Sequence, residues 1–362
     1  MPIIGDAEVK AVVEVLRHGP LTSALGEGPK VSAFEKEFAK FANVSYSIAV
    51  NTGTSALHLA IVSAGVKPGD EVILPSFTFV ATAEAIVMAG GKPVFVDIDP
   101  ISFNINPDKI EEKITINTKV IMPVDLFGLP ADLNPIRKIA MDHDIAIVED
   151  AAQAHGAKYS GKPVGLLANS TCWSFYASKN MTTGEGGIIT TNNAEMAKFL
   201  RMLRSHGEKT KYSSLTLGYN YRMSEMQAAL GLVQLDKLPY FVAKRTANAK
   251  KLNQILSKEK RLKLPFNSEV MTSGWNLYTV KLKDSTEKER DELVNTLRTK
   301  GIGAAVYYVN PVHLMPFYRE NFGLYKLPET EEAAKKVFSL PVHPGLQDSQ
   351  IEYIAQTLLN SL

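Results

Sequence analysis

Lys179 occupies a position from which a lysine could act as a nucleophile. It follows a predicted buried strand and precedes a glycine-rich run at 182–187, and no other charged side chain stands between it and Glu185. A lysine in a dry pocket has a lowered pKa and attacks carbonyl groups. Most lysines, however, are solvated surface residues, and the glycine-rich run could be only a tight turn. Position alone therefore leaves both interpretations open.

A second candidate, Asp150, lies just beyond a strongly apolar run at 145–148. A carboxylate in such a place must find a cation or several hydrogen-bond donors, because burying an unpaired charge is costly. The side chain could alternatively do no more than cap the following turn at 151–154. In the functional interpretation, Asp150 is an anion that holds a positive charge on a ligand.

The run Asn-Thr-Gly-Thr-Ser at 51–55 leads from an apolar run directly into a helical pattern. Glycine allows close approach of the backbone, hydroxyl groups can donate, and the following helix presents free N–H groups, which together suit a phosphate. A plain helix cap explains the run equally well. The sequence contains neither a P-loop motif nor a G-x-G-x-x-G fingerprint.

Taken together, these residues form the set that one cofactor requires. Pyridoxal phosphate (PLP) needs backbone donors for its phosphate, a flat apolar partner for its ring, an anion for its ring nitrogen and a lysine for its aldehyde. The sequence offers 51–55, Phe79, Asp150 and Lys179 for these tasks. We therefore predict a PLP site and no metal site.

The elements that position these residues alternate from about residue 46 onward. Near-continuous apolar runs, typical of strands buried on both faces, alternate with helical patterns, which predicts an α/β fold with a mostly parallel seven-stranded sheet between helices. Ligands bind such sheets at the carboxyl ends of the strands. The strands are predicted at 46–50, 71–74, 93–96, 120–124, 145–148, 171–175 and 187–190, and the helices at 54–64, 80–89, 107–114, 134–143, 193–204 and from 223 to 251 or beyond.

The last third of the chain has a different pattern, typical of a smaller α+β unit. We predict a large PLP-binding domain at 1–244 and a small C-terminal domain at 245–362, joined by the long helix. Two domains are more usual than a single core for a chain of 362 residues. The strands of the small domain are predicted at 276–282 and 303–308, and its helices at 286–300 and 348–361.

The composition argues against several classes of protein. The 40 basic and 38 acidic residues leave a net charge of +2, which gives no electrostatic case for nucleic acid or for an anionic membrane surface. Cys172 is the only cysteine, so no intrachain disulfide and no cysteine-based metal cluster can form, in keeping with a reducing cytoplasm. We expect neither a signal peptide nor a membrane span.

In seven ordered stretches the sequence resembles the DegT-type nucleotide-sugar aminotransferases, a family within fold type I of the PLP enzymes. The resemblance extends over nearly the whole chain, and the series is far more specific than any single motif. The stretch at 174–187 is also similar to that of GDP-perosamine synthases. The seven stretches are GPKVSAFEKEFAKF, NTGTSALHLA, GDEVILPSFTFVATAEAI, GGKPVFVDID, VEDAAQAHGA, SFYASKNMTTGEGG and GYNYRMSEMQAALGLVQL.

The resemblance assigns roles to the residues around the cofactor ring. It implies that Lys179 carries PLP as a Schiff base and that Asp150, 29 residues earlier, pairs with the pyridinium nitrogen. It also implies that Phe79 stacks on the ring and that Gln153 approaches the ring hydroxyl.

Further roles concern the phosphate and a second subunit. The resemblance implies that Gly53, Thr54 and Ser174 hold the phosphate, and that Asn220 reaches the phosphate of the neighbouring subunit's cofactor. The last role requires a homodimer with a composite active site. The partners are then a nucleotide sugar, glutamate and a second copy of the chain, with no nucleic acid and no membrane.

The same resemblance suggests a reaction. One branch of the family replaces the lysine with histidine and catalyses dehydration, so Lys179 favours transamination. Relatives that aminate C4 of the sugar tend to read T-T-x-E-G-G after the lysine, and those that aminate C3 tend to read G-x-x-G-D-G-G; residues 182–187 read TTGEGG. The resemblance thus implies transfer from glutamate to C4 of a 4-keto-6-deoxy NDP-hexose, giving an amino sugar nucleotide for polysaccharide or glycoconjugate synthesis.

Three alternatives stay open: a C3-specific aminotransferase, a non-catalytic regulatory protein on the same scaffold, and a nucleotide-dependent oxidoreductase. Two features also depart from the family pattern. Asp125 stands where relatives often have histidine, and residues 24–27 lengthen a loop near the active site, so substrate contacts and substrate shape are open. We expect His313 and residues 307–310 to lie nearer the sugar nucleotide.

Overall fold

The structure, a computed structural model, describes residues 2–362, which form eleven α-helices and fifteen strands. The helices are α1 (Asp6–His18), α2 (Pro29–Ala42), α3 (Gly53–Ser63), α4 (Ala81–Met88), α5 (Leu133–Asp142), α6 (Ala194–Arg204), α7 (Glu225–Leu256), α8 (Glu287–Thr299), α9 (Pro316–Phe322), α10 (Pro328–Lys336) and α11 (Asp348–Leu359). The strands are β1 (Tyr46–Val50), β2 (Glu71–Pro75), β3 (Lys92–Val96), β4 (Thr118–Ile121), β5 (Ala146–Asp150), β6 (Lys158–Tyr159), β7 (Lys162–Pro163), β8 (Ser170–Ser174), β9 (Gly187–Thr191), β10 (Glu208–Thr210), β11 (Ser213–Ser214), β12 (Leu262–Lys263), β13 (Met271–Thr272), β14 (Tyr278–Leu282) and β15 (Val337–Leu340).

Seven strands form the central sheet, in the order β1-β9-β8-β5-β4-β2-β3. The neighbours from β8 to β3 pair in parallel, and β9 runs antiparallel to β1 and β8. The predicted α/β fold with a mostly parallel sheet is therefore confirmed. Because β9 runs against its neighbours, the loop from β8 to β9 stays at the edge where the parallel strands end.

Burial on both faces of the sheet explains the near-continuous apolar runs. All five residues of β2, β8 and β9 are buried. Helices α3, α4 and α6 cover one face, around a core that includes Leu59 and Ile189. On the other face, covered by α2 and α7, the Phe38 ring lies at centroid distances of 5.4 Å from both Trp173 and Phe175. Ligand binding is thus left to the ends of the strands.

The long helix α7 links this sheet to a second apolar core. Leu252 and Leu256, near its end, pack with Tyr278 and Phe338 in a core completed by α8 and α11. The strands there form an antiparallel sheet in the order β12-β14-β15. The predicted domain boundary after residue 244 falls inside α7 and stays a prediction. Neither α7 nor any other helix in residues 2–362 has the length and apolar character needed to cross a membrane.

The helix predicted at 107–114 is wrong. The segment forms two 3₁₀ turns, Pro107–Lys109 and Glu111–Lys113. Ile110 is fully buried between them, whereas Ile114 is only partly buried. The segment therefore lacks the continuous apolar stripe through which tertiary packing stabilises an α-helix.

The strand predicted at 303–308 is also wrong. Only one pair forms, in which Ala305 and Ser339 exchange backbone hydrogen bonds of 3.1 and 2.7 Å. Beyond it the chain turns toward the large sheet, where the Tyr308 hydroxyl accepts a hydrogen bond from the Gln153 amide at 3.1 Å. A contact between domains thus decides the path of this segment.

Candidate active site

The polar residues singled out in the sequence meet at the carboxyl edge of the sheet. β1 ends before residues 51–55, β5 ends at Asp150, and β8 ends at Ser174, five residues before Lys179. Since β1, β9, β8 and β5 are consecutive in the sheet, the start of α3, the Asp150 carboxylate and the lysine loop lie side by side.

The start of α3 forms an open set of hydrogen-bond donors. Thr52 caps the helix, its hydroxyl accepting from the Ser55 N–H at 3.0 Å. The N–H groups of Gly53 and Thr54 precede the first intrahelical hydrogen bond, and the Ser174 hydroxyl lies beside them. A Cβ on Gly53 would lie 2.7 Å from the Ser174 Cβ, so glycine is required for this approach. Such a cradle fits a phosphate group.

Asp150 is a buried carboxylate with two fixed donors. Its Oδ2 accepts from the Thr82 hydroxyl at 2.8 Å, and its Oδ1 accepts from the Ala152 N–H at 3.1 Å. Burial raises the pKa of Asp150, while these hydrogen bonds and the Lys179 charge lower it. The sequence reasoning missed Thr82. The one feature of the sequence that points to Thr82 is its place four residues after Thr78, on the same side of the chain. The two hydroxyl oxygens lie 2.8 Å apart.

Lys179 lies in the loop between β8 and β9, and its neighbour Asn180 anchors that loop. The Asn180 amide donates to the carbonyls of His155 and Gly274 at 3.1 and 2.7 Å. Burial lowers the pKa of Lys179, and the Asp150 charge opposes this decrease. A lower pKa makes the neutral amine more available, which is the form that reacts with an aldehyde.

The ring partners predicted from the sequence lie at the same edge. Phe79 exposes 56% of its surface, and its ring centroid is 6.1 Å from that of Tyr308. The Gln153 Oε1 accepts from the Phe127 N–H at 2.8 Å, and its Nε2 donates to the Tyr308 hydroxyl at 3.1 Å. One Nε2 hydrogen is therefore left for a ligand. Burial raises the pKa of Tyr308, which keeps it a neutral phenol.

A cavity of about 870 Å³ opens at Lys179, between the large sheet and the smaller core. Asn276, Tyr307 and His343 of the C-terminal part line it, together with Ile3 near the start of the chain. Its volume is in the range of small-molecule sites. In the described residues, no group of histidine, cysteine and carboxylate side chains is arranged to hold a metal ion.

Asn220 stands apart from the other predicted site residues. Its side chain is exposed, and it pairs with Ser205 in a short bridge. The next residue, Tyr221, accepts a hydrogen bond from the Asn51 N–H at 2.9 Å. Asn220 therefore lies beside the edge strand β1 with its amide open to a partner.

Two further carboxyl groups lie near the site, and the sequence reasoning gave neither a binding role. Asp125 and Glu149 are fully buried. The Asp125 Oδ1 accepts from the Ala131 N–H and the Glu149 Oε2 accepts from the Thr171 hydroxyl, both at 2.8 Å. Within residues 2–362, the other oxygen of each has no partner. Asp125 is thus enclosed, and it does not line the cavity.

The Asp125–Glu149 pair is held close to neutral. Burial raises the pKa of Glu149 to about 7 and raises that of Asp125 as well, and the Glu149 charge adds to the second shift. Two buried carboxyl groups in this position cannot both ionise without large cost, so protonation of at least one of them is favoured.

His313 does not line the cavity, and its place near a sugar nucleotide stays a prediction. The imidazole is buried, with Nδ1 2.6 Å from the Ser76 hydroxyl and Nε2 3.5 Å from the Glu331 carboxylate. Nδ1 therefore has a hydrogen-bond partner, whereas Nε2 is enclosed near Glu331 without a hydrogen bond. Tyr307, from the same predicted region, does line the cavity.

The lengthened loop at 24–27 is held by Arg204, the last residue of α6, and by Ser205, which follows that helix. The Arg204 guanidinium donates to the Leu25 carbonyl at 3.3 Å, and the Ser205 hydroxyl donates to the Ala24 carbonyl at 2.6 Å. Arg204 is buried and also pairs with Glu35. The extra residues are therefore part of the packed structure.

Comparisons with known proteins give the site a context. A model of the DegT/DnrJ/EryC1/StrS aminotransferase family matches residues 2–359. The chain is 38% identical over 334 residues to GDP-perosamine synthase of Caulobacter vibrioides, covering 91% of this chain and 90% of that protein. It is 36% identical over 375 residues to the spore coat polysaccharide biosynthesis protein SpsC of Bacillus subtilis, covering 99% and 95%.

Solved structures agree with these relatives. The crystal structure of S. venezuelae DesV in complex with a ketimine intermediate matches with a TM-score of 0.92 at 36% identity, covering 98% of this chain and 93% of that one. The fold and the family are thus supported by independent comparisons.

Replacing Glu149 with glutamine should change how stability depends on pH. The folded-state pKa of Glu149, about 7, lies above its ordinary value of 4.5. Between these values the native state binds more protons than the unfolded state, so the free energy of unfolding falls as the pH rises. The neutral amide of Glu149→Gln removes this pH-dependent loss. Measured by urea unfolding, the free energy of unfolding of the variant should fall across this pH range by less than that of the wild type, the difference being on the order of 1–3 kcal/mol.

The exposed Glu112 provides the matched control, since Glu112→Gln should leave the pH profile unchanged. An unchanged or steeper decrease in the Glu149→Gln protein would mean that Glu149 is ionised throughout this range in the folded protein.

Proposed function

Because the chain belongs to the DegT/DnrJ/EryC1/StrS aminotransferase family and is therefore a PLP-dependent aminotransferase, we propose that it transfers an amino group from glutamate to C4 of a 4-keto-6-deoxy sugar nucleotide. The product is an amino sugar nucleotide for polysaccharide or glycoconjugate synthesis in the cytoplasm. Two similar proteins are named for perosamine and for a spore coat polysaccharide.

Lys179 and Asp150 carry the proposal. A lysine with a lowered pKa and a buried carboxylate lie at the same strand edge as the open N-terminus of α3. We assign the phosphate of PLP to Gly53, Thr54 and Ser174. The ring then has Asp150 at its nitrogen, Gln153 at its hydroxyl and Phe79 against its face, and Lys179 holds its aldehyde carbon.

When bound, PLP supplies an electron sink for a carbanion. The residues of this chain do the rest. The Lys179 amine, once released by the incoming amino acid, takes a proton from the α-carbon, and a positioned proton transfer of this kind contributes about 10²–10⁴-fold. Asp150 keeps a positive charge on the ring nitrogen, because an opposite charge within a few ångström shifts a pKa by about 1–3 units. In the second half of the cycle Lys179 returns a proton to sugar C4.

The position on the sugar rests on the loop after the lysine. Residues 182–187 read TTGEGG, which resembles relatives that aminate C4, and C3 stays the alternative. A purely regulatory role explains neither the half-buried Lys179 nor the buried Asp150 carboxylate. An oxidoreductase is disfavoured because the chain belongs to an aminotransferase family.

We propose a homodimer in which Asn220 completes the partner's site. Its exposed amide and its place beside β1, next to the start of α3, suit a contact with the phosphate of a cofactor bound by a second copy. Each subunit then needs the other for full cofactor affinity.

Lys179→Ala should remove both the yellow absorbance of the lysine-bound cofactor and turnover, since no other amine takes its place. The wild-type absorbance should shift on borohydride reduction, and Lys198→Ala, which removes an exposed lysine, should behave as wild type. Normal turnover in Lys179→Ala would refute the proposed chemistry.

Mixing two inactive variants tests the composite site. Lys179→Ala and Asn220→Ala dimers, exchanged at equal concentration, should recover about a quarter of the wild-type activity, because half of the dimers then carry one intact site of two. Recovery of activity would be measured after partial unfolding and refolding of the mixture. If Asn220 acts only in its own subunit, mixing restores nothing.

A panel of keto sugar nucleotides tests the acceptor. Enzyme loaded with pyridoxamine phosphate should regain yellow absorbance with 4-keto-6-deoxy sugar nucleotides and should do so at least about tenfold more slowly with 3-keto isomers, since the reacting carbon must lie within about 3.5 Å of its partner. Faster reaction of the 3-keto compounds would assign the enzyme to C3 instead.

A further inference from the structure

Arg245 is a buried cation without a counter-ion in the described chain. It lies on α7 with 6% of its surface exposed, and its Nη1 donates to the carbonyls of Trp275 and Asn276 at 2.9 and 3.1 Å. No carboxylate within residues 2–362 lies within ion-pair distance of it, and its Nε is buried without a partner. A buried charge normally requires an opposite charge, so this guanidinium calls for an anion.

The two nitrogens of Arg245 that remain free form one edge of the guanidinium. Nη1 is used by the two backbone carbonyls, which leaves Nε and Nη2. Nε is enclosed by the protein, so Nη2 is the nitrogen that can donate to a group in the cavity, in a charge-assisted hydrogen bond. Arg245 thus presents one free donor and a positive charge to an anion.

The cavity that Arg245 lines has only basic charges. Lys179, Arg245 and His343 are its ionisable groups besides tyrosines, and no aspartate or glutamate lines it. Burial lowers the pKa of both His343 and Lys179, which leaves the arginine as the group that stays charged. A cavity with a lasting positive charge and no acidic side chain favours an anionic ligand.

The guanidinium lies near the reacting lysine. Asn180, next to Lys179, and Arg245 donate to three consecutive carbonyls at 274–276. In addition, the charges of Lys179 and Arg245 both lower the pKa of the buried His155 ring. Both side chains line the same cavity, so a ligand group bound to Arg245 lies in the space at which Lys179 is exposed.

We propose that Arg245 binds the α-carboxylate of the amino-acid donor. This assignment rests on the proposed function. The α-carboxylate is one bond from the carbon at which Lys179 moves a proton, so it must lie close to the lysine. The diphosphate of a sugar nucleotide is attached at C1, across the ring from C4, and lies farther away. A carboxylate therefore fits the position better than a phosphate.

The chain offers a matched control in Arg290. It is also a buried arginine whose Nη1 bridges two backbone carbonyls, those of Ala334 and Val337, at 2.8 and 3.0 Å. It does not line the cavity, and acidic side chains lie beside it. The Arg290→Lys variant therefore loses hydrogen bonds to two backbone carbonyls, as Arg245→Lys does, but it does not alter a residue that lines the cavity.

The experiment compares donors on the holoenzyme. In Arg245→Lys and Arg245→Gln, the KM for L-glutamate should rise about 10- to 100-fold, the range for losing a charge-assisted hydrogen bond, with the smaller rise in the lysine variant. The KM for the keto sugar nucleotide should change less than about twofold, and Arg290→Lys should leave both constants near wild type. Calorimetric binding of glutarate, which cannot react, should weaken in parallel.

A second comparison is made first on the wild-type enzyme, so it does not depend on whether a variant folds. In the wild type, isoglutamine, which lacks the α-carboxylate, should have a KM at least about tenfold above that of glutamine, which keeps it. In Arg245→Lys this difference should shrink to a few-fold.

Each outcome has a distinct meaning. Equal KM values for isoglutamine and glutamine in the wild type would overturn the assignment. If the Arg245 variants raise only the KM for the sugar nucleotide, the assignment is also overturned, and the diphosphate would be placed at Arg245. If no amino acid converts the wild-type holoenzyme, the proposed function fails, and this assignment falls with it.

Discussion

A buried carboxylate and a half-buried lysine lie at the same end of a sheet that is covered on both faces, and much of the structure serves to keep them there. Burial pushes both groups toward neutrality, raising the pKa of Asp150 and lowering that of Lys179, while the charge of each opposes the shift of the other. Desolvation therefore outweighs their mutual attraction. A cationic ring nitrogen beside Asp150 would offset part of the desolvation cost of this carboxylate. The strength of cofactor binding therefore depends on how well water is excluded from the strand edge.

The charges around this pair are separated into two regions. Behind Asp150, Asp125 and Glu149 are enclosed with one unpartnered oxygen each, and protonation of one or both would prevent three negative charges from accumulating. In front, Lys179 and Arg245 line a cavity without acidic groups. The field therefore runs from an acidic interior to a basic cavity, an arrangement that holds a cationic ring on one side and attracts an anionic substrate on the other.

Residues missed by the sequence reasoning share one property, which is that long-range contacts alone bring them to the site. Thr82 reaches Asp150 across 68 residues. The contact of Tyr308 with Gln153, across 155 residues, was likewise not predicted, although residues 307–310 were expected near the substrate. Arg245 was hidden inside a long helical pattern, where an arginine is usually a solvated surface residue. Periodicity along one element carries no information about what the next element places against it.

The sequence by itself determined the order of strands and helices, the lysine, the strand-end carboxylate and the glycine-bearing turn at 51–55. These features are local, because apolar runs and strand ends are set by neighbouring residues and ligands bind where parallel strands end. The tertiary structure alone decided that 303–308 turns toward Gln153, that His313 is enclosed and that Asp125 and Glu149 are both fully buried. The physical reason is that burial and pairing of polar groups depend on which distant segments close over them, and that information exists only once the chain has packed.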